Sequence, residues 1–359
     1  MRLSVGERTA SLTPCALMKR SQLQCLVDPE SLRPLRVEIS ESSGEDILAG
    51  ELSGGDQRFS IRNGIPSFVA ADVADTQTVG SFAQKWAKHR YYFDHTRRFY
   101  TDWYLQRYGF FETDALRECL QTAEYILDAG TGAGRDAANL AENCNATVFA
   151  VDTAREALEI AGDRLSQPRI AFVHADLHRL PFKDEFFDFI NCDQVIHHTP
   201  DPRAAFEILR RKLKPGGQMC CYVYKKKAVI REFADDYIRE RISKLPIDEA
   251  LQVCEAITHL GRTLAGLKVS VDIEHDIPVL GIKKGPMDLQ RLFHWNVLKC
   301  FWNDEFDFFT NNIINFDWYH PEHCFRYEPA EFREWFAQGW EIQAWDVQDA
   351  GISCRAKKV

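Results

Sequence analysis

The sequence lacks the features that define several large classes of protein. No segment approaches the roughly 18 consecutive apolar residues that a membrane span needs. The N-terminal segment, MRLSVGERTASLTPCALMKR, lacks the apolar core of a secretory signal. Basic residues number 44 and acidic residues 53, so the net charge of −9 argues against a dominant surface for a nucleic acid. We therefore expect neither a membrane span nor a nucleic-acid partner.

The sequence also has no disulfide framework. Its 11 cysteines are scattered without regular spacing, and several lie within apolar runs. An odd number of such cysteines indicates reduced thiols in a reducing compartment, which predicts a cytoplasmic location. The hydrophobic content of 45% and the charged content of 27% are typical of a folded globular chain.

Composition changes along the chain predict four parts. Residues 1–20 are expected to be a flexible tail, because they carry no periodic pattern. Residues 21–74 contain short strand-like pieces separated by turn signals and should form a small β-rich unit. Residues 75–124 are rich in aromatic and charged residues at helical spacing, which predicts a helical N-terminal extension to the domain formed by residues 125–359.

Strands and helices alternate after residue 125. Apolar runs are separated by amphipathic or alanine-rich stretches, a pattern that predicts a doubly wound, mostly parallel α/β sheet; the runs are 125–129, 147–151, 170–175, 187–192 and 218–224. Residues 226–326 interrupt the alternation and are too long for a loop, so they should form an inserted helical and aromatic cap. Two closely spaced segments within 340–358 predict a terminal antiparallel hairpin.

A glycine-rich motif, DAGTGAGRD, follows the first of these strands at residues 128–136. Its glycines permit a tight turn and let a ligand approach the backbone. Alone, the motif also suits a dinucleotide, which binds a similar turn through its pyrophosphate. The strand ends in Asp128, however, and a carboxylate there suits a ligand carrying ammonium and sulfonium groups better than an anion. This charge argument favours S-adenosylmethionine over NAD.

Acidic residues also end the next three predicted strands: Asp152, Asp176 and Asp193. Ligands of open α/β sheets bind beyond the carboxyl ends of the strands, so these side chains should converge on one crevice. Asp152 is placed to bind both ribose hydroxyls and Asp176 to meet the adenine amine. Their joint order along the chain therefore predicts a methyl-donor site.

At this point the sequence resembles the class I S-adenosylmethionine-dependent methyltransferases. The resemblance rests on DAGTGAGRD at 128–136, VFAVD at 148–152, HADLHRLPF at 174–182, DFINCDQVIHHTPDP at 188–202 and LKPGG at 213–217. It implies a Rossmann-like fold and S-adenosyl-L-methionine as cofactor, with S-adenosyl-L-homocysteine as product. The implied cofactor-binding residues are Asp128, Gly130, Thr131, Gly132, Gly134, Asp152, Thr153, Asp176, Leu177 and Asp193.

The N-terminal unit is similar to the small zinc ribbon that precedes many methyltransferase domains. A structural zinc site needs four ligands, yet only Cys25 stands at a ligand-like place, with Asp28 where its partner thiol would be. The segment corresponding to the second pair, residues 53–56, contains no cysteine. We therefore expect a ribbon-like unit without metal.

Three residues are candidates for catalysis. His197 and His198 follow the fourth strand, beside the expected methyl donor, and an imidazole can act as a base near neutral pH. Tyr224 ends the fifth strand. Each of these could instead be a buried structural group. Phe82 and Trp86 are expected to cover the cofactor, and in similar enzymes a stretch such as 315–323 closes over the acceptor.

Three functions remain open at this stage. The leading interpretation is methyl transfer to a small-molecule acceptor at oxygen, nitrogen, sulfur or carbon. An RNA methyltransferase is a second enzyme class, although the acidic balance and the missing ribbon thiols count against it. A non-catalytic S-adenosylmethionine-binding protein is the third, because binding and chemistry depend on the same residues.

Overall fold

The computed structural model describes residues 17–70, 73, 76–88, 92–165 and 167–359, without the side chains of residue 88 and residues 92–95. The N-terminal part is a five-stranded antiparallel sheet with one short helix, α1 (Arg20–Leu23). Its strands are β1 (Met18–Lys19), β2 (Arg36–Ser43), β3 (Asp46–Gly54), β4 (Gln57–Arg62) and β5 (Ile65–Pro66). The expected boundary at residue 20 falls inside this unit, because Met18 pairs with Ile47; residues 1–16 of the expected tail lie outside the described residues.

Three helices follow: α2 (Gln77–Lys88), α3 (Tyr92–Arg107) and α4 (Thr113–Leu120). They lie where the sequence places a helical extension. The main domain then begins with β6 (Tyr125–Ala129), α5 (Arg135–Glu142), β7 (Thr147–Asp152), α6 (Arg155–Arg164) and β8 (Ile170–His174). It continues with β9 (Phe187–Cys192), α7 (Pro202–Lys212) and β10 (Leu213–Lys225). The segment Lys214–Pro215–Gly216–Gly217 follows α7 directly and is part of β10, whose register against β9 shifts between Leu213 and Gln218.

The cap consists of four helices and a small hairpin: α8 (Val229–Ile242), α9 (Ile247–Gly266), β11 (Ser270–Ile273), β12 (Gly285–Asp288), α10 (Leu289–Asn296) and α11 (Phe308–Tyr319). The hairpin β11–β12 was not expected from the sequence. The chain re-enters the main sheet through β13 (Arg326–Tyr327), α12 (Pro329–Arg333), β14 (Trp340–Val347) and β15 (Gly351–Lys358).

The main sheet has the strand order β14-β15-β10-β9-β6-β7-β8, with β13 added to the end of β10. Strands β6 to β10 are parallel, and β14 and β15 run antiparallel as the terminal hairpin. The expected Rossmann-like α/β fold is thereby confirmed. All carboxyl ends of the parallel strands lie at one edge, which is where such sheets bind ligands.

Alternate residues of each strand face opposite sides of the sheet and enter two cores. On one side, Leu127 and Val151 pack with Phe206 of α7 and with Ile47 of the N-terminal unit, so that this unit shares the domain core. On the other side the core is built from α3, α4 and α5; it includes Tyr104, Leu116, Ile126, Leu140 and Val148. The outer edge of β8 is covered by the segment after β5, because Phe68 of this segment donates its N–H to the carbonyl of His174 at 2.7 Å.

A single buried carboxylate organises the cap. Asp235 of α8 is 1% exposed, and each of its oxygens accepts two hydrogen bonds. One oxygen binds Arg231 Nε (3.0 Å) and Trp318 Nε1 (2.7 Å). The other binds the backbone N–H of Lys299 (2.9 Å) and the hydroxyl of Tyr319 (2.8 Å). Helices α8 and α11 and the loop after α10 are therefore joined at one group.

We expect Asp235→Asn to destabilise the protein. The amide would turn N–H groups toward Arg231 and toward aromatic donors that already need an acceptor, which leaves buried donors unpaired at a cost of about 3 kcal/mol. The free energy of unfolding, measured by urea denaturation, should fall by this order. Asp236→Asn is the matched control, because Asp236 pairs with Arg326 from a side chain that is 59% exposed; equal losses in both variants would contradict the prediction.

Candidate active site

A cavity of about 260 Å³ lies at the carboxyl edge of the parallel strands. Three parts of the chain line it. The main domain contributes the glycine-rich loop and the strand ends, helix α2 contributes one wall, and the cap contributes Asp317 and His323. The edge of the sheet at which parallel strands bind ligands is thus covered by α2 and the cap, which together with it enclose a cavity.

The glycine-rich loop lies close to its neighbours. Gly130 has φ of 78°, and a Cβ placed there would come within 2.3 Å of the Val195 side chain. Gly132 has φ of 54°, and a Cβ there would come within 2.7 Å of the Trp86 ring. Both positions require glycine for their backbone conformation as well as for space. The loop can therefore present its backbone to a ligand, with Trp86 over it.

Asp152 is held at the end of β7 by two backbone hydrogen bonds. Its Oδ2 accepts from the N–H of Gly132 and its Oδ1 from the N–H of Ala154, both at 2.8 Å. Burial raises the pKa of this carboxyl above its usual value, while the hydrogen bonds oppose that rise. Each oxygen keeps a second lone pair for a ligand, as binding of two ribose hydroxyls requires.

Asp176 begins a short 3-10 turn after β8, at Leu177–Arg179. Its Oδ1 accepts from the backbone N–H and from Nδ1 of His178, both at 3.0 Å. Burial favours a higher pKa for Asp176, but the hydrogen bonds and charge of His178 outweigh it and lower the pKa. The ionised carboxylate suits the amine of an adenine ring, which donates hydrogen bonds.

Asp128 and Asp193 differ in position from those two residues. Asp128 lies beneath the cavity rather than in its lining, and its Oδ1 accepts from Asn191 Nδ2 at 2.8 Å. Burial and the nearby Asp136 raise the pKa of Asp128 to about 7. Asp193 lines the cavity, but its oxygens bind Arg107 Nη2 (2.5 Å) and the Tyr108 hydroxyl (2.8 Å).

The Arg107–Asp193 pair was missed by reasoning from the sequence. Arg107 is 1% exposed and its guanidinium lies 3.8 Å from the ring centre of Trp103. Burial acts to lower the pKa of Arg107, and the charge of Asp193 raises it, with a net rise. The pair connects α3 to the end of β9, and the only sequence signal for it is an arginine within an aromatic helix.

The two candidate histidines lie in different surroundings. His197 is fully buried and outside the cavity lining, with its ring centre 3.8 Å from that of Tyr224. Burial lowers the pKa of His197 well below its usual value. His198 lines the cavity, and its Nδ1 donates to the carbonyl of His323 at 2.7 Å. Burial lowers the pKa of His198 to about 3.

Helix α2 forms the cover of the cavity and contacts the cap. Gln77 donates to the carbonyl of His320 (2.8 Å) and accepts from the N–H of Glu322 (2.7 Å). Lys85 Nζ lies 2.5 Å from Asp317 Oδ2. Phe82 and Trp86, expected from the sequence to cover the cofactor, both line the cavity.

The structure brings most of the expected site residues together. Those in the cavity lining are Gly130, Thr131, Gly132, Asp152, Thr153, Asp176, Leu177, Asp193, His198 and Tyr224. Three expected residues lie outside it: Asp128, Gly134 and His197. Gly134 instead begins α5 at φ of 84°, against the Leu165 side chain. Lys85 joins the site without having been predicted, whereas Asp317 and His323 belong to the stretch 315–323, which in similar enzymes closes over the acceptor.

The ribbon-like positions have ordinary structural partners. Asp28 Oδ1 accepts from the backbone N–H and the hydroxyl of Ser31 at 2.7 and 2.8 Å, which closes a turn. Cys25 packs against the main core. Within the part of the chain that the structure describes, no group of three or more His, Cys, Asp or Glu residues could hold a metal ion. Likewise, no described helix is long and apolar enough to cross a membrane.

Comparisons with known proteins agree with this geometry. Residues 127–221 match the family described as "Methyltransferase domain". Methyltransferase GfsG of Streptomyces halstedii is 37% identical over 98 residues, which are 26% of this chain and 35% of that protein. A demethylmenaquinone methyltransferase of Clavibacter sepedonicus is 39% identical over 97 residues, 27% of this chain and 39% of that protein.

A solved structure of phosphoethanolamine N-methyltransferase 2 of Haemonchus contortus, in complex with S-adenosyl-L-methionine, is 26% identical to this chain. It covers 36% of this chain and 32% of that one, with a TM-score of 0.30. The two curated relatives named above are matched over only 35% and 39% of their own length. Residues 127–221 of this chain are therefore similar to a methyltransferase domain.

Proposed function

We propose that this protein transfers a methyl group from S-adenosyl-L-methionine to a small-molecule acceptor bound between the sheet edge and the cap. The observation that carries the proposal is the covered cavity itself. Its sheet side carries the acids and glycines of a methyl-donor site, and its other side carries groups from α2 and the cap. A covered cavity of about 260 Å³ suits a small acceptor better than a polymer.

The residues present fit the cofactor. Gly130 and Gly132 line the cavity and carry no side chain, so the loop presents its backbone to a ligand there. Asp152 and Asp176 offer acceptors for ribose hydroxyls and for the adenine amine. The carboxylate of Asp128, just before the loop in sequence, favours the positive methionine end, although burial and Asp136 raise its pKa to about 7. We place Thr131, Thr153 and Leu177 beside these groups as further contacts.

The cofactor supplies an activated methyl group on a sulfonium, so the protein mainly positions the reactants. Phe82 and Trp86 exclude water from the glycine-rich loop, and Lys85, Tyr224 and Asp317 face the space left for an acceptor. In His198 the hydrogen on Nδ1 is fixed by the carbonyl of His323, which leaves the lone pair on Nε2. With a pKa of about 3, His198 serves as a neutral hydrogen-bond acceptor at physiological pH.

The names of two relatives support a small molecule as the methyl acceptor. One is a demethylmenaquinone methyltransferase and another is a 27-O-demethylrifamycin SV methyltransferase of Amycolatopsis mediterranei. The acidic balance of this chain likewise disfavours RNA. A cytoplasmic location stays a prediction from composition, and so does the division of the chain into domains. A purely cofactor-binding role predicts affinity for the cofactor without any transfer of its methyl group, which isotopic labelling distinguishes.

We expect Asp152→Ala to weaken S-adenosyl-L-methionine binding by about 10- to 100-fold, the loss of one or two hydrogen bonds to a charged acceptor. Isothermal titration calorimetry measures the affinity directly. Asp163→Ala, an exposed acid on α6, is the control and should bind like the wild type. Because Asp152 also holds the loop, thermal unfolding should show that the variant is folded at the titration temperature; unchanged affinity would refute the assignment of this crevice.

We expect His198 to make stability fall with decreasing pH. Its pKa is about 3 when folded and near 6.5 when unfolded, so below pH 6.5 only the unfolded chain gains the proton. Between pH 7.5 and pH 5 the free energy of unfolding should fall by about 2 kcal/mol through this group alone. His198→Asn keeps a donor for the carbonyl of His323, cannot titrate, and should show a correspondingly smaller fall.

Urea denaturation at the two pH values measures this difference. His275→Asn serves as the control, because His275 is exposed in the cap. An equal fall in both variants would mean that the imidazole of His198 is not buried in its neutral form.

A further inference from the structure

The Lys85–Asp317 pair leaves one carboxylate oxygen without a partner. The side chain of Lys85 is 8% exposed and that of Asp317 is 15% exposed, and the ammonium binds Oδ2 of the aspartate at 2.5 Å. Oδ1 of Asp317 is buried and has no hydrogen-bond partner among the described residues. Both residues line the cavity. The pair is formed between α2 and α11, outside the matched methyltransferase domain.

A buried polar atom without a partner is costly, and most such atoms in folded proteins are satisfied. The cost is largest for a charged group. Asp317 lines the cavity, so a turn of its carboxylate brings Oδ1 to a bound molecule, which then supplies the missing donor. The unpartnered Oδ1 thus indicates that the molecule receiving the methyl group donates a hydrogen bond to Asp317.

The neighbouring groups narrow the chemistry further. His198 presents the lone pair of Nε2 and therefore also requires a donor. The rings of Phe82 and Tyr224 line the same part of the cavity; Phe82 lies edge-on to His198, with ring centres 5.0 Å apart. A methyl acceptor that fits these surroundings has an apolar, flat body and a hydrogen-bond donor directed at Asp317.

The charges around the cavity distinguish between the chemical groups that could donate this hydrogen bond to Asp317. The lining carries two cations, Lys85 and Arg135, against five acids, Asp136, Asp152, Asp176, Asp193 and Asp317, so an anionic acceptor would meet an excess of negative charge. An ammonium would meet Lys85, which already neutralises Asp317. A neutral hydroxyl avoids both penalties and satisfies Oδ1. We propose that the methyl acceptor is a neutral hydroxyl compound with an apolar, flat body, and that Asp317 selects it by accepting the hydrogen bond of its hydroxyl.

This inference rests on the proposed function, so the test separates the two. Binding of S-adenosyl-L-homocysteine to the full chain is measured first, and its absence would contradict the proposed function. With that product saturating, four probes are then titrated and followed by ligand-detected NMR: phenol, toluene, benzoate and benzylammonium. Toluene matches phenol in size but has no hydroxyl.

We expect phenol to bind at least about tenfold more tightly than each of the other three probes, the effect of one hydrogen bond to a charged acceptor. Toluene binding as tightly as phenol would overturn the role of Asp317 as an acceptor. Tighter binding of benzylammonium would point to an amine, and tighter binding of benzoate to an acid; either result overturns the proposal. So would the absence of phenol binding to a chain that binds the product.

A double variant tests the residue itself. Lys85→Met with Asp317→Leu replaces the buried pair by apolar side chains of similar size, a change that folded proteins tolerate better than the loss of one partner. The preference for phenol over toluene should disappear in this variant. The matched control, Lys226→Met with Glu331→Leu, removes a half-exposed pair away from the cavity and should keep the preference. A preference that survives in the first variant would overturn the assignment to Asp317.

Discussion

The closed site depends on helix α2 being held from two sides. At its N-terminal end, Gln77 hydrogen-bonds the backbone of His320 and Glu322 in the cap. Toward its C-terminal end, Trp86 lies against Gly132, and Ala83 packs on the start of α6. Without these contacts the strand ends would form an open crevice. With them, the edge of the sheet becomes a cavity whose far wall is formed by α2 and the cap.

Two buried carboxylates among the described residues are matched by several donors. Asp193 is paired with Arg107, and Asp235 receives four donors in the cap. These groups hold elements in place, because removing one partner would leave an uncompensated charge in a low dielectric. Oδ1 of Asp317 has no such donor among the described residues, and Asp317 lines a cavity with space for a ligand.

The fold and the cofactor crevice could be predicted because their signals are local in sequence. The turn around Gly132 and the acids Asp152 and Asp176 each follow an apolar strand directly, so parallel topology alone brings them together. The Lys85–Asp317 pair could not be predicted, because it joins residues 232 positions apart across two additions to the core. Nor does the doublet His197–His198 indicate which ring enters the cavity; that depends on the aromatic packing around Tyr224.

The cover of the cavity is made from segments before and after the cofactor-binding strands, so its parts are synthesised at different times. The last of the strand-end acids, Asp193, leaves the ribosome about 120 residues before Asp317, a delay on the order of 10 s at ordinary elongation rates. During this interval the cofactor face can form while its far wall does not yet exist. A chain that stops before α11 therefore lacks the wall that Asp317 and His323 provide, and its strand ends remain an open crevice.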